Sequence, residues 1–205
     1  LEPVDHFVAA VRKRHGSKWE FGEVVSTPST TAPQRRQPRL ESVHGDALEL
    51  APPAGNYTIV ANIPYYISGE FLQKFLEADN QPKRIIVMLQ KELAKRIVDE
   101  KGSILGMSIK AYGTPKYLTT VPRKFFRPIP NVDSAALLIE NISKNFFTEA
   151  EISEKSFFDI IKTGFAHKRK VLIKNLEGKM SPSDLKTLWG NEKWSLTMRA
   201  EELKL

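Results

Sequence analysis

Two short apolar runs separated by a helical pattern constrain the fold of this chain most strongly. Residues 57–61 and 84–89 are almost continuously apolar, as strands buried on both faces are. Residues 69–78 and 93–99 repeat apolar side chains at helical spacing. Strands alternating with helices predict an α/β fold with a parallel sheet covered on both faces.

A polar tetrapeptide, Asn-Ile-Pro-Tyr at 62–65, directly follows the first run. In such sheets ligands bind beyond the carboxyl ends of the strands, where this tetrapeptide is expected. The Asn62 carbonyl and a backbone carbonyl of Ile63 or Pro64 can accept both hydrogens of an exocyclic amine. Tyr65 can stack on the attached ring. The pattern is typical of amine methyltransferases acting on adenine, although Asn and Pro are also ordinary turn formers after a strand.

Composition excludes several classes of site. The 205 residues contain no cysteine, which excludes disulfides, thiolate zinc sites and iron–sulfur clusters and fits an intracellular, cytoplasmic protein. The four histidines lack metal-ligand spacing, so we expect no metal site, and no apolar run reaches transmembrane length. A formal net charge of +7 indicates a polyanionic partner such as nucleic acid.

Two further segments carry candidate site residues. Asp46 follows a strand predicted at 40–44 and can accept a hydrogen bond from the adenine amine of a nucleoside cofactor, although Asp is also a common turn residue. The stretch 121–135 contains three prolines and is stiff enough to hold an aromatic ring. Phe126 is therefore the candidate for the face of the base opposite Tyr65. We expect Phe125 to plug the core beneath this turn.

The two ends of the chain differ in character. Residues 5–15 predict an amphipathic helix with Phe7, Val8 and Val11 on one face, and 17–39 predict a loop insertion. Residues 156–175 predict a basic helix with an apolar stripe, followed by a helix that starts at 181–182. We therefore expect two domains, 1–143 and 144–205, the second small and helical.

A cluster of cations lies in the second domain. Four of them suit contacts with RNA phosphates, although a solvated helix face is the usual explanation for such a run. They are Lys168, Arg169, Lys170 and Lys174. Four more cations towards the amino terminus can widen the positive surface, namely Lys13, Arg14, Arg35 and Arg36.

Five segments together resemble the ribosomal RNA adenine dimethyltransferases, which dimethylate two adjacent adenines near the end of small-subunit ribosomal RNA. The matching segments occur in the same order along the chain, at 45–48, 62–68, 90–96, 126–134 and 165–176. The resemblance implies a Rossmann-like methyltransferase domain with a small α-helical C-terminal domain. It also implies S-adenosylmethionine as cofactor, and ribosomal RNA or a precursor of the small subunit as partner of a monomeric protein.

The resemblance also assigns roles to residues. Asp46 would hold the cofactor adenine, Glu2 its ribose hydroxyls, and Asn62 would lie between cofactor and target. Asn62 and the Pro64 region would bind the target amine, while Tyr65 and Phe126 would sandwich the target base. Transfer from a sulfonium needs no metal, because the methyl donor is already activated.

One departure from the family pattern concerns the cofactor. The family has a Gly-rich loop that approaches the methionine portion of the cofactor, before the segment where this chain begins, and no Gly-x-Gly occurs in the 205 residues. We read the methyltransferase domain as N-terminally incomplete. The expectation is that this chain alone binds S-adenosylmethionine poorly and has little or no activity.

Two other functions stay open at this point. One is a large-subunit ribosomal RNA adenine methyltransferase of the antibiotic-resistance type, which shares much of the pattern. The other is a non-catalytic RNA-binding or ribosome-assembly factor whose function rests on the basic segment.

Overall fold

The computed structural model describes residues 6–15, 18–22, 46–99 and 102–204, with the backbone alone for the first two segments. Glu2 and the strand predicted at 40–44 lie outside the described residues. Six strands are present in the described part: β1 (His6–His15), β2 (Lys18–Gly22), β3 (Tyr57–Asn62), β4 (Arg84–Gln90), β5 (Thr114–Val121) and β6 (Ser134–Glu140). The helices there are α1 (Ser68–Glu77), α2 (Lys91–Val98), α3 (Ile104–Tyr112), α4 (Asn145–Glu149), α5 (Glu154–Gly164), α6 (Leu172–Leu176) and α7 (Pro182–Glu192).

The chain divides into two compact units. The first comprises residues 1–95 and 113–143, and the second comprises 96–112 and 144–205. The second unit thus includes α3, which lies within the predicted first domain at 1–143. Within the described residues, no helix combines the length and the apolar character that spanning a bilayer requires.

The first unit is built on a mixed sheet with the strand order β2-β1-β3-β4-β6-β5. β1, β3 and β4 run parallel, whereas β6 is antiparallel to both β4 and β5. The α/β class is confirmed, but the expectation of a parallel sheet is wrong beyond these three strands. Parallel neighbours need a crossover, and the chain instead enters β6 through the loop that follows β5.

The prediction of a helix at 5–15 is wrong, because His6–His15 is a strand. β1 pairs with β3 on one side, from His6 opposite Tyr57 to Ala10 opposite Ala61, and with β2 on the other. The periodicity of a short apolar run does not by itself distinguish a helix from a strand. Here the pairing with β3 makes the segment a strand. β2 also shows that 18–22 is not loop; residues 23–39 of that predicted insertion lie outside the described residues.

The core of the first unit lies against one face of the sheet. In β4, Ile85, Val87 and Leu89 are fully buried, while the alternating residues are half-buried or, at Gln90, exposed. The corresponding positions of β3 and β6 are equally buried, and α1 contributes four buried apolar side chains, Phe71, Leu72, Phe75 and Leu76. The sheet is therefore less enclosed on its second face than the apolar runs predicted.

The second unit is helical and has an aromatic core. Phe147 packs edge-on against Phe157 with ring centroids 5.5 Å apart, and Tyr112 packs against Phe147 at 5.1 Å. The Tyr112 hydroxyl donates to Glu154, which also pairs with Lys144 at 3.0 Å. The predicted helix start at 181–182 is confirmed, because the Ser181 side chain accepts the Asp184 N–H and caps α7.

The predicted continuous helix at 156–175 is wrong. α5 ends at Gly164, and α6 starts only at Leu172. The buried Asn175 side chain donates to the Gly164 carbonyl at 2.6 Å and to the His167 carbonyl at 3.3 Å. A Cβ on Gly164 would lie 3.1 Å from Leu172 Cδ1, so the glycine permits the close return of the chain. Four of the five residues of the predicted apolar stripe are nevertheless buried, namely Phe157, Ile161, Phe165 and Leu172, whereas Phe158 is half-buried.

Tyr57 makes the first unit sensitive to alkaline pH. Its hydroxyl donates to the Asn80 carbonyl at 2.7 Å, and burial raises the pKa of the Tyr57 phenol. The neutral phenol is therefore favoured in the folded state. Its stabilising effect is fully present below the ordinary tyrosine pKa of about 10 and is lost as the pH rises further.

Replacing Tyr57 with phenylalanine should remove that pH dependence. We expect Tyr57→Phe to cost about 1 kcal/mol of unfolding free energy near pH 8 through the lost hydrogen bond. Its stability should then decline less steeply than that of the parent above about pH 10. Urea unfolding of both proteins across this pH range measures the difference, and parallel declines would contradict the prediction.

Candidate functional site

The ends of four strands meet at one edge of the sheet in the first unit. Asn62 at the end of β3 is paired with Met88 near the end of β4. Gln90 at the end of β4 is paired with Ser134 at the start of β6, and Val121 at the end of β5 pairs with Ser134 from the other side. The tetrapeptide at 62–65 and the loop 122–133 therefore emerge from the same edge, where open α/β sheets bind their ligands.

The tetrapeptide combines an exposed amide with a rigid, buried backbone. Asn62 is exposed, whereas Ile63 and Pro64 are buried. Within the described residues the Asn62 side chain has no hydrogen-bond partner. The Pro64 carbonyl accepts the Ile67 N–H at 3.2 Å, which closes the turn before α1. The amide oxygen of Asn62 is thus available to an incoming donor.

Tyr65 is held by a partner on another strand. Its hydroxyl shares a hydrogen bond of 2.5 Å with Ser134 Oγ, and Ser134 is fully buried at the start of β6. The contact joins the tetrapeptide to the β6 end of the site. A half-buried ring fixed in this way can stack on a base with little loss of side-chain entropy. Ser134 lay within the segment that matched the family, but nothing in the sequence gave it this role.

Asp133 organises the loop that carries Phe126. Its Oδ1 accepts the Arg123 N–H at 3.0 Å, and its backbone carbonyl accepts the Lys91 N–H at 3.0 Å. Lys91 Nζ also lies 3.8 Å from Asp133 Oδ2. The Phe126 N–H donates to the Arg123 carbonyl at 3.1 Å and closes a turn. The half-buried Phe126 is the last residue of this turn. No local pattern in the sequence predicts these roles of Asp133 and Lys91, because the contacts depend on the pairing of β4 with β6.

The expectation that Phe125 plugs the core is wrong. Its side chain is 70% exposed, and Lys124 Nζ lies 5.4 Å from the centre of its ring. The 3₁₀ helix Arg123–Phe125 contains no buried residue, so the prolines of the loop do not cover an apolar plug.

Replacing Asp133 with alanine should loosen this loop without unfolding the protein. The lost contacts belong to a half-exposed carboxylate, so we expect a cost of roughly 1 kcal/mol in unfolding free energy. Hydrogen exchange at the Arg123 and Phe126 amides should become at least about 10-fold faster. Asp133→Asn, which keeps an acceptor for the Arg123 N–H, is the control and should retain most of the protection. Unchanged exchange in Asp133→Ala would contradict this role of Asp133.

Asp46 lies in a turn of the first unit. Asp46 is exposed, its Oδ1 accepts the Leu48 N–H at 2.9 Å, and the Leu48 carbonyl accepts a hydrogen bond from Lys74 Nζ at 2.5 Å. The turn is therefore fixed to α1. In the described part of the chain, Asp46 Oδ2 has no partner, and no group of three His, Asp or Glu residues could hold a metal ion.

The basic segment of the second unit is a turn and not the predicted helix. Lys168, Arg169 and Lys170 are exposed between α5 and α6, and within the described residues none of the three pairs with a carboxylate. Lys174 lies on α6 and pairs with Glu177 at 2.6 Å. The Lys170 N–H donates to the His167 carbonyl at 2.9 Å, and Asn175 fixes the same carbonyl. The turn thus displays, on a defined backbone, three cations with no carboxylate partner in the part of the chain that the structure describes.

Comparison with known proteins supports one family. A family model described as ribosomal RNA adenine dimethylase matches residues 10–201. A "Ribosomal RNA small subunit methyltransferase A" of Synechococcus sp. (strain JA-3-3Ab) is 34% identical over 177 residues, which cover 82% of this chain and 62% of that protein. The protein of the same name from Fusobacterium nucleatum subsp. nucleatum is 40% identical over 121 residues, which cover 58% of this chain and 46% of that protein. The chain spans about half the length of the curated relatives that it matches.

Two solved structures share the fold. The 23S rRNA methyltransferase ErmE has a TM-score of 0.65 at 19% identity, over 80% of this chain and 67% of that one. A dimethyladenosine transferase from Plasmodium falciparum has a TM-score of 0.63 at 23% identity, over 80% and 68%. These likenesses confirm the Rossmann-like α/β fold. Because the family model also matches all but the first nine and last four residues, the chain belongs to the ribosomal RNA adenine dimethylase family.

Proposed function

We propose that the protein dimethylates the exocyclic amine of adenines in small-subunit ribosomal RNA, with S-adenosylmethionine as cofactor. The observation that carries the proposal is the tetrapeptide at 62–65 in a chain of this family. Its Asn62 amide has no partner among the described residues, and its tyrosine is held by Ser134. The relatives reported above are named for the small subunit, which favours that substrate over large-subunit RNA. Such a protein acts in ribosome biogenesis in the cytoplasm, and we propose that it does so as a monomer.

The proposed target site works by positioning and polarisation. Asn62 Oδ1 and a backbone carbonyl at 63–64 accept the two amine hydrogens of the adenine. Both hydrogen bonds draw the nitrogen lone pair out of conjugation with the ring, which makes the nitrogen more nucleophilic. An amide is too weak a base to take the proton, so the proton passes to solvent. After the first methylation one hydrogen remains, and the site must accept a monomethylated base for the second.

Two aromatic rings complete the proposed target site. Tyr65 and Phe126 stack on the two faces of the base that has left its RNA stack, which offsets the cost of unstacking. The Ser134 contact fixes Tyr65, and the turn closed by Asp133 fixes the backbone at Phe126.

Residues that the structure describes could hold part of the proposed cofactor. Asp46 offers a carboxylate oxygen without a partner in the described part of the chain, in a turn fixed to α1, and this suits the amine of the cofactor adenine. Asn62 would lie between the cofactor and the target, and Glu2 would hold the ribose hydroxyls. When bound, S-adenosylmethionine supplies a methyl group activated by its sulfonium sulfur, with no covalent enzyme intermediate.

RNA binding is proposed for the second unit. Lys168, Arg169, Lys170 and Lys174 would contact phosphates, which positions the RNA without reading its sequence. Lys174 contributes least, since Glu177 already neutralises it. We propose the boundary at 143/144 as the point where the methyltransferase domain ends and this RNA-contacting domain begins.

A methylation assay tests the proposed function and separates it from the two alternatives. Small-subunit ribosomal RNA is incubated with the protein and millimolar S-adenosylmethionine, so that weak cofactor binding does not limit the reaction, and its nucleosides are analysed by mass spectrometry. The proposed function predicts N6-methyladenine followed by N6,N6-dimethyladenine, and this result would overturn the expectation that the chain alone has little or no activity. Product confined to large-subunit RNA would support the resistance-type enzyme. RNA binding without any product, by protein that is shown to bind S-adenosylmethionine, would support the non-catalytic factor. Calorimetric titration with S-adenosylmethionine separately tests the expected weak cofactor binding.

A further inference from the structure

A cavity in the second unit takes no part in the proposed methyl transfer. It has a volume of about 610 Å³, within the range of pockets that bind small ligands. Its lining is largely apolar and includes Leu185, Trp189, Trp194 and Leu196. The residues proposed to bind the target adenine and the cofactor do not include this pocket, so it could bind another ligand.

The two tryptophans of this cavity, which we call the tryptophan pocket, are held in place by the end of α7. Trp189 is nearly buried, and its indole N–H donates to the Ser195 carbonyl at 3.2 Å. Lys193 has a φ of 53° and turns the chain back, so that the Trp194 N–H donates to the Trp189 carbonyl. The two rings meet edge to face at 5.3 Å. Trp194 is half-buried and Leu196 is 70% exposed, so apolar surface remains accessible in the pocket.

The basic turn adjoins the tryptophan pocket. The Leu172 N–H donates to the Met198 carbonyl at 2.7 Å, which ties the chain after Lys170 to the chain after Leu196. Ile173, the residue that follows Leu172, itself lines the pocket. The cations at 168–170 and the apolar lining are therefore neighbours on one unit.

The charges around the tryptophan pocket suit a polyanion. Glu177 is the one carboxylate in its lining, and the ion pair with Lys174 at 2.6 Å neutralises it. Lys186 also lines the pocket, is exposed, and has no carboxylate partner within the described residues. A nucleotide suits both parts of this surface. Its flat, apolar base can pack on the tryptophans, and its anionic phosphate can contact the cations.

We propose that the tryptophan pocket binds an unstacked base of single-stranded RNA whose phosphates contact the basic turn. Single strands are the form of RNA whose bases can leave the stack and pack on aromatic side chains. The proposal rests on the proposed function only in taking RNA as the partner. It adds a second base-binding site, separate from the residues assigned to the target adenine.

Binding of two oligomers tests the proposal. Fluorescence anisotropy measures the affinity of the full chain for a labelled single-stranded RNA 12-mer and for a ribose–phosphate 12-mer that lacks bases. We expect Trp194→Ala to weaken binding of the RNA about 10-fold and binding of the abasic oligomer less than about twofold. Leu196→Ala, at an exposed position that folding does not require, should show the same selectivity at about threefold.

The control is Ile160→Ala, which removes a 41% exposed apolar side chain of α5 outside the pocket and should change neither affinity. If the pocket variants lose affinity equally for both oligomers, or lose affinity for neither, the proposal is overturned. Circular dichroism identifies a misfolded Trp194→Ala protein, in which case Leu196→Ala alone decides. Failure of the proposed function is read separately, as the absence of methylated adenine in the assay above.

Discussion

Replacing Asn62 with alanine is expected to lower the rate of methyl transfer to adenine by about 100-fold or more at saturating cofactor. Affinity for single-stranded RNA that lacks the target adenines should stay within about twofold of the parent, since phosphate contacts dominate it. The exposed Asn62 side chain has no hydrogen-bond partner within the described residues, so the variant should lose less than about 0.5 kcal/mol of stability. Single-turnover formation of methyladenine, followed by mass spectrometry, measures the effect.

The physical reason is that the proposed role places the Asn62 oxygen where charge develops. As the nitrogen attacks, its hydrogens become more acidic, and an acceptor already in place stabilises that change without reorganising. Asn62→Asp keeps an acceptor oxygen and should retain more activity than Asn62→Ala. Asn56→Ala is the matched control, because Asn56 is also exposed but lies just before the opposite end of β3. Normal transfer by Asn62→Ala would contradict the assigned role.

Removing the three cations of the basic turn should weaken RNA binding about 100-fold at 0.1 M salt. The slope of log affinity against log salt should become shallower by about 2, as expected for three lost phosphate contacts with a single strand. The variant is Lys168→Ala, Arg169→Ala and Lys170→Ala combined. All three side chains are exposed and pair with no carboxylate in the described part of the chain, so folding should be little affected.

A second triple variant removes the same charge from elsewhere in the unit. It replaces Lys155, Lys162 and Lys179 with alanine. All three are exposed, and among the described residues Lys179 alone of the three has an ion pair, at 3.5 Å from Asp159. This control should lose less than about fivefold in affinity, through the long-range field alone. Equal losses in the two triple variants would mean that net charge, and not the basic turn, determines RNA binding.

The features that the sequence could predict are those encoded by local patterns. The strands at 57–61 and 84–89, the helix after the tetrapeptide and the capped start of α7 all follow from residues within one turn or one strand. The tetrapeptide pointed to a site because of where it falls, at the end of a buried strand. The structure places that strand end beside β4, where Asn62 is paired with Met88.

The features that the sequence could not predict depend on distant pairing. Residues 5–15 carry helical spacing, yet His6–His15 forms a strand because β3 offers its first half a parallel partner. The basic segment reads as a helix, yet one buried side chain, Asn175, holds it as a turn. Ser134 supports Tyr65 from 69 residues away in the chain, which no local pattern encodes.

The central claim is that the edge of the sheet at 62–65 and 122–133 recognises the amine of a target adenine. Its most direct test compares the affinity of the protein for two versions of a small-subunit ribosomal RNA fragment. One contains the two adjacent adenines that the family dimethylates, and the other contains purine, which lacks the amine, in their place. We predict that the parent binds the adenine form at least about 10-fold more tightly, because purine covers the Asn62 oxygen and a backbone carbonyl without donating a hydrogen bond to either. Asn62→Ala should lose this preference. Equal affinity of the parent for both fragments would contradict the claim.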